Sequence, residues 1–175
     1  MRRVLVIGSG GSGKSTLAVR LARLAGLPLV QLDELYWKAG WVAPEQEEWL
    51  RIVDGILDQE CWVIDGNYSG TLDRRLDACD TVIFLDRPRL LCLVRVLWRR
   101  IKYNGRSRPG VAAGCVEQIS PEFLAWIWTY PSRRKPKVLA RLATLRPEQN
   151  AIVLKTQREI EGFLQGVSEV RSVAV

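Results

Sequence analysis

Five short runs of apolar residues, at positions 4–7, 29–32, 61–64, 81–85 and 151–154, punctuate the chain at wide intervals. Runs of this length with almost no polar alternation read as strands buried on both faces, the pattern of a parallel sheet. Between them the apolar positions change period. Leu17, Leu21 and Leu24 repeat at helical spacing within 14–25, and Gly26 and Pro28 close that helix. Trp49, Ile52, Val53, Ile56 and Leu57 form an apolar face behind Pro44 and the acidic Glu45, Glu47 and Glu48, which suit a helix N-terminus. Further helices are predicted over 89–102 after Pro88, over 121–130 from Pro121, and over 158–164. Strands alternating with helices imply an α/β architecture. Residues 1–166 form one domain in this reading, and 167–175 after Gly166 form a loose tail.

Composition narrows the picture. At 175 residues and 47% hydrophobic content, the chain fits one domain with its own core. No apolar run approaches the ~20 residues needed to cross a bilayer, and a strand beginning at Val4 leaves no room for a signal sequence, so the cytoplasm and no membrane partner are expected. Cys61, Cys79, Cys92 and Cys115 are widely spaced and there is no histidine, so zinc-site patterns and histidine-dependent triads are excluded. The net charge of +7 is concentrated: positions 87–137 hold twelve Lys/Arg against Glu117 and Glu122, or +10, which leaves −3 elsewhere. Such a field suits a polyanion, either nucleotide phosphates or a nucleic-acid backbone, unless it is simply a solvated face.

The chemistry is announced by Gly8-x-x-x-x-Gly13-Lys14-Ser15, placed between a predicted strand and a predicted helix. That arrangement aims successive backbone N–H groups and the positive end of a helix at phosphate oxygens. Gly8, Ser9, Gly10, Gly11, Ser12, Gly13, Lys14, Ser15 and Thr16 are therefore the expected nucleotide-binding residues. Lys14 reaches the β- and γ-phosphates, and the Ser15 hydroxyl ligates Mg²⁺. Carboxylates at the carboxyl ends of neighbouring parallel strands face the same crevice, which makes Asp33, Asp65 and Asp86 candidates, although an aspartate there also serves as a turn cap.

With these elements the chain resembles the small P-loop kinases related to adenylate kinase, and among them the group called DNA topology modulation proteins. The resemblance covers roughly residues 3–165. It rests on the P-loop, on Leu32-Asp33-Glu34-Leu35-Tyr36-Trp37-Lys38-Ala39-Gly40-Trp41, on Trp62-Val63-Ile64-Asp65-Gly66-Asn67-Tyr68, and on Phe84-Leu85-Asp86-Arg87-Pro88. It implies a three-layer P-loop NTPase fold with a parallel five-stranded sheet, like that of nucleoside monophosphate kinases, with ATP and Mg²⁺ as ligands. Asn67 and Tyr68 stand where adenylate kinases have Phe-Pro, so AMP is not carried over as acceptor.

The resemblance also implies roles. Asp65 becomes the Walker-B-type residue beside Mg²⁺, Asp33 orients an acceptor, and Asp86 is secondary. The basic segment at about 95–137 resembles a lid, with Arg95, Arg99 and Arg100 as catalytic cations, Arg106 and Arg108 beside them, and Arg133 and Arg134 able to join. Tyr36, Trp37 and Trp41 either stack on an acceptor or cover the core. Trp126 and Trp128 pack beneath the lid or against a partner. The function expected is transfer of the γ-phosphoryl group of ATP to a nucleotide-like or other small acceptor. The rival is a nucleotide-dependent DNA-binding or topology-modulating ATPase, which no recognised DNA-reading motif supports. No spacing specifies acceptor identity, donor base or oligomeric state.

Overall fold

The computed structural model describes residues 1–173, with side chains through residue 169. Its strands are β1 Arg3–Gly8, β2 Leu29–Gln31, β3 Trp62–Asp65, β4 Thr81–Leu85 and β5 Asn150–Leu154. All pair in parallel, in the order β2-β3-β1-β4-β5. Parallel strands need crossovers, and helices supply them: α1 Lys14–Ala25, α2 Leu32–Tyr36, α3 Gln46–Leu57, α4 Leu72–Ala78, α5 Arg89–Lys102, α6 Pro121–Arg133, α7 Lys135–Ala143 and α8 Gln157–Val173.

Alternate residues of the central strands divide between two cores. Val4, Val6, Val63, Ile83 and Leu85 pack with Leu17, Leu21, Ile160 and Leu164 of α1 and α8. Leu5, Ile7, Trp62, Ile64, Val82 and Phe84 pack on the other face with Trp49, Val53 and Ile56 of α3 and Leu76 of α4. Side chains that alternate across a strand and are buried on both sides explain why these segments read as uninterrupted apolar runs.

Three expectations change. The second strand stops at Gln31, and Leu32 begins a short helix, so Asp33 lies in the first turn of α2 instead of ending a strand. Leu32 is fully buried, which drives the turn inward, and Asp33 with Glu34 suits the helix N-terminus. Helices α4 and α7 were not read from the sequence; α4 is only seven residues long and α7 buries no residue. The proposed tail from 167 is instead helix through Val173, because Val167 packs against the α1/α8 core and one glycine at 166 costs too little to end the helix. Residues 174–175 of that tail lie outside the described residues.

One glycine decides how α5 sits. Gly11 has φ +75°, and a Cβ there would meet the Cys92 carbonyl oxygen at 2.3 Å. The P-loop and α5 therefore touch backbone to backbone. Cys92 and Val96 of α5 face inward with Ile127 of α6, while Leu90, Val94, Leu97, Trp98 and Ile101 line its outer, exposed face.

Candidate functional site

The carboxyl edge of the sheet opens into a cleft of about 1760 Å³ lined by the P-loop, α2, the turn after β3, α5, and parts of α6 and α7. The P-loop leaves β1 at Gly8 and turns into α1 through Gly13, whose φ of 101° is left-handed. Ser12 N–H donates to Ser9 O at 3.2 Å, and Lys14 Nζ donates to the same carbonyl at 3.2 Å, folding the lysine over its own loop. Arg95 reaches from α5 to Ser12 O at 3.2 Å. Gly10, Gly11, Ser12, Gly13, Lys14, Ser15 and Thr16 line the cleft. Ser9 lies beneath it, and Gly8 is held by the turn after β3.

Asp65 ends β3 opposite Val6 of β1, beside the P-loop. It is buried, and its Oδ1 has no hydrogen-bond partner among the described residues. Burial pushes its carboxyl above the usual carboxylate range; the Lys14 ammonium and the Ser15 hydroxyl pull it partly back. An orphaned carboxylate oxygen next to a P-loop hydroxyl is a hard oxygen-donor pair, which fits Mg²⁺.

Asp33 is gripped from two sides. Tyr68 Oη donates to Oδ1 at 2.7 Å, and Arg108 Nη2 donates to Oδ2 at 2.8 Å. Burial and the facing Asp33 carboxylate together push the Tyr68 phenol well above its ordinary value, so it stays a donor. Arg108 belongs to a small ionic cluster. Glu117, 2% exposed, accepts from Arg99 Nε at 2.7 Å and lies 3.0 Å from Arg108 Nε as an ion pair without hydrogen-bond geometry. The chain between α5 and α6 is thereby tied to α2 across the cleft.

The remaining expected residues divide. Arg95 and Arg99 line the cleft, whereas Arg100 bonds Asn104 and stands outside its lining. Arg134 lines the cleft; Arg106 and Arg133 are exposed. Asp86 pairs with Lys135 at 2.7 Å in a separate small recess with Ser9 and Tyr130. The aromatics form one chain: Trp49 and Tyr68 meet Tyr36 at 4.9 and 4.6 Å, Tyr36 meets Trp37, and Trp37 meets Trp41 at 5.4 Å. Tyr36 covers the core, while Trp37 and Trp41 line the cleft. Trp126 stacks on Phe123 at the cleft wall, and exposed Trp128 lies under the Arg89 guanidinium at 3.9 Å.

The sequence alone assigned no role to Asn67, Tyr68, Arg75 or Glu117. The Asn67 side chain clamps the first P-loop residue, accepting from Gly8 N–H at 3.1 Å and donating to Gly8 O at 2.7 Å. Arg75 lies wholly buried beneath the same turn. The one available signal was the Asp-Gly-Asn-Tyr run itself, since asparagine two residues past a strand-end aspartate suits backbone hydrogen bonding.

No protein-family model matches the chain, and no curated protein matches its sequence. Solved structures do match it over nearly its whole length. The shikimate kinase from Acinetobacter baumannii in complex with shikimate aligns with TM-score 0.61 at 17% identity, covering 99% of this chain and 94% of that one. The shikimate kinase from Bacteroides thetaiotaomicron aligns with TM-score 0.55 at 18% identity over 98% of each chain. A gluconokinase from Sinorhizobium meliloti 1021 aligns with TM-score 0.52 at 17% identity, covering 99% and 97%. At these identities the likeness is one of fold: the protein has the P-loop NTPase fold of small-molecule kinases.

Proposed function

We propose that the protein is a cytoplasmic P-loop kinase that transfers the γ-phosphoryl group of ATP to a small hydroxyl-bearing acceptor. The observation that carries this reading is the convergence, in one cleft, of a phosphate-binding loop and a carboxylate, Asp33, that already accepts a hydroxyl hydrogen from Tyr68. The fold shared with shikimate kinase and gluconokinase supports a hydroxyl acceptor, and the motif resemblance to adenylate kinase relatives supports the same reaction class, while the name of the topology modulation group leans toward the DNA-binding rival.

In this reading the Ser15 hydroxyl and Asp65 would hold Mg²⁺, which would supply charge neutralisation for the nucleotide phosphates. The P-loop amides and Lys14 bind the phosphates. Arg95 and Arg99 supply fixed positive charge where the transferring oxygens develop theirs. Asp33 takes the acceptor hydroxyl as its hydrogen-bond partner and sets its direction of attack. Of the twelve cations over 87–137, Arg99, Arg108 and Lys135 are paired with Glu117, Asp33 and Asp86 within the fold.

The test is ADP formation from Mg·ATP, alone and with a panel of nucleosides, nucleoside monophosphates, sugars and hydroxy acids, with DNA as a parallel addition. One acceptor should stimulate turnover and gain phosphate. Lys14→Ala should abolish the stimulated rate, and Asp33→Asn should lower kcat roughly 10²- to 10⁴-fold. Stimulation by DNA alone, or turnover indifferent to Lys14→Ala, would overturn the proposal.

A further inference from the structure

Arg75 is the most unusual buried group in the molecule. It sits in α4 with no exposed surface, and its four hydrogen-bond acceptors are all main-chain carbonyls. Nη1 donates to Gly66 O at 2.8 Å, Nη2 donates to Tyr68 O at 2.8 Å and to Asn67 O, and Nε donates to Thr71 O at 3.3 Å. Three consecutive carbonyls turned toward one point cannot satisfy each other, because each is an acceptor only. A guanidinium, with five donors in a rigid fork, can collect them; an apolar side chain of similar length cannot.

The backbone shape that results is not one the chain adopts freely. Gly66 has φ 143° and Tyr68 has φ 33°, the latter a left-handed conformation that a bulky residue rarely takes without external restraint. With the carbonyls drawn inward to Arg75, the two side chains of the turn point outward to the cleft. Asn67 closes its paired hydrogen bonds on Gly8, where the P-loop begins. Tyr68 reaches Asp33 Oδ1. One buried cation therefore lies behind both ends of the proposed reaction, the phosphate loop and the acceptor carboxylate.

We infer that Arg75 is a positioning residue for phosphoryl transfer: by holding the 66–68 turn it fixes the P-loop through Asn67 and the Asp33 carboxylate through Tyr68, without itself reaching either substrate. The inference rests on the kinase reading for its consequence in turnover, but its structural half stands independently of that reading.

The experiment uses the full chain with Arg75→Met and Arg75→Lys, at a temperature where each is folded by circular dichroism. Hydrogen exchange is read without nucleotide. Arg75→Met should lose protection selectively over residues 8–13 and 66–71, while the central strands keep theirs. In turnover, kcat/KM for the acceptor should fall roughly 10- to 100-fold, as expected when a reacting group is displaced by a fraction of an ångström. Tyr68→Phe should then cost less in the Arg75→Met background than alone, because the hydroxyl it removes is already misplaced. Arg75→Lys, which keeps the charge but not the fork, should recover little.

Unchanged or uniformly lowered exchange protection would overturn the inference, as would a folded Arg75→Met protein with kcat/KM within about twofold of the parent. If neither Arg75 variant folds, Asn67→Ala and Tyr68→Phe decide it: strong non-additivity between them supports a turn acting as one unit, and simple additivity overturns it. Absence of turnover in the parent with every acceptor would sink the kinase reading alone, and the exchange pattern would still decide what Arg75 does.

Discussion

Asp65 weakens the fold at the place where the proposed kinase needs an oxygen donor. Its carboxyl is buried with one oxygen lacking a partner among the described residues, and burial raises its pKa. The native state therefore holds the proton to higher pH than the unfolded chain does. The group's penalty is absent below the ordinary carboxylate pKa, grows as pH rises from there through the raised native value, and is complete above it. Asp65→Asn should accordingly raise the melting temperature of the ligand-free protein at pH 7 to 8, with a much smaller gain near pH 4. The same variant should weaken Mg²⁺-dependent nucleotide binding and turnover by roughly 10- to 100-fold. A ligand-free variant less stable than its parent at neutral pH would contradict this account. Asp33 differs at the same scale: Tyr68 and Arg108 each hold one of its oxygens, and each oxygen keeps a second lone pair for an incoming hydroxyl.

At the scale of elements, the site depends on how closely helices approach the P-loop. Glycine-rich loops are usually explained by phosphate access, but Gly11 also makes room for the Cys92 carbonyl of α5. Gly11→Ala would set a Cβ 2.3 Å from that oxygen at a φ of +75°, with no flexible side chain to yield. Chemical denaturation should report a loss of about 3 kcal/mol or more, in the range of severe core substitutions. It should also displace α5, and with it Arg95 and Arg99, so nucleotide binding should fall even at temperatures where the protein is fully folded. Loss of stability with intact nucleotide binding would mean that α5 and the P-loop are not packed as a unit. The Glu117 cluster acts at the same scale, joining Arg99 of α5 to Arg108 of the following loop, which reaches on to Asp33 of α2.

For the whole molecule, the open sheet places the P-loop, Asp33 and Asp65 together at its carboxyl edge, the position expected for this architecture. A ligand that binds only the folded state stabilises it by mass action. At a hundredfold excess of Mg·ATP over Kd the gain is about 2.7 kcal/mol. For a domain of this size that corresponds to a rise in Tm of roughly 5–10 °C. The rise should vanish with EDTA and in Lys14→Ala. A shift equal with and without divalent metal would argue against the Ser15–Asp65 metal pair.

Much of this was written in local sequence. The apolar runs located the strands because burial on both faces leaves no polar alternation. Gly8 to Ser15 located the phosphate loop because its backbone chemistry needs those residues at that spacing. Lys14–Ala25 and Arg89–Lys102 were legible to the residue, since glycine and proline mark where each stops or starts. Short α4 has room for too few turns to show a period, and Pro131 and Pro136 break the pattern around α7. What only the tertiary structure decided is which distant polar groups meet. Asp33 finds Arg108 75 positions away, Asn67 finds Gly8 59 positions away, and Arg100 turns out of the cleft while Arg95 and Arg99 line it. Local propensity acts over a few residues, whereas these pairings follow from crossover topology and side-chain direction, which a one-dimensional pattern does not encode.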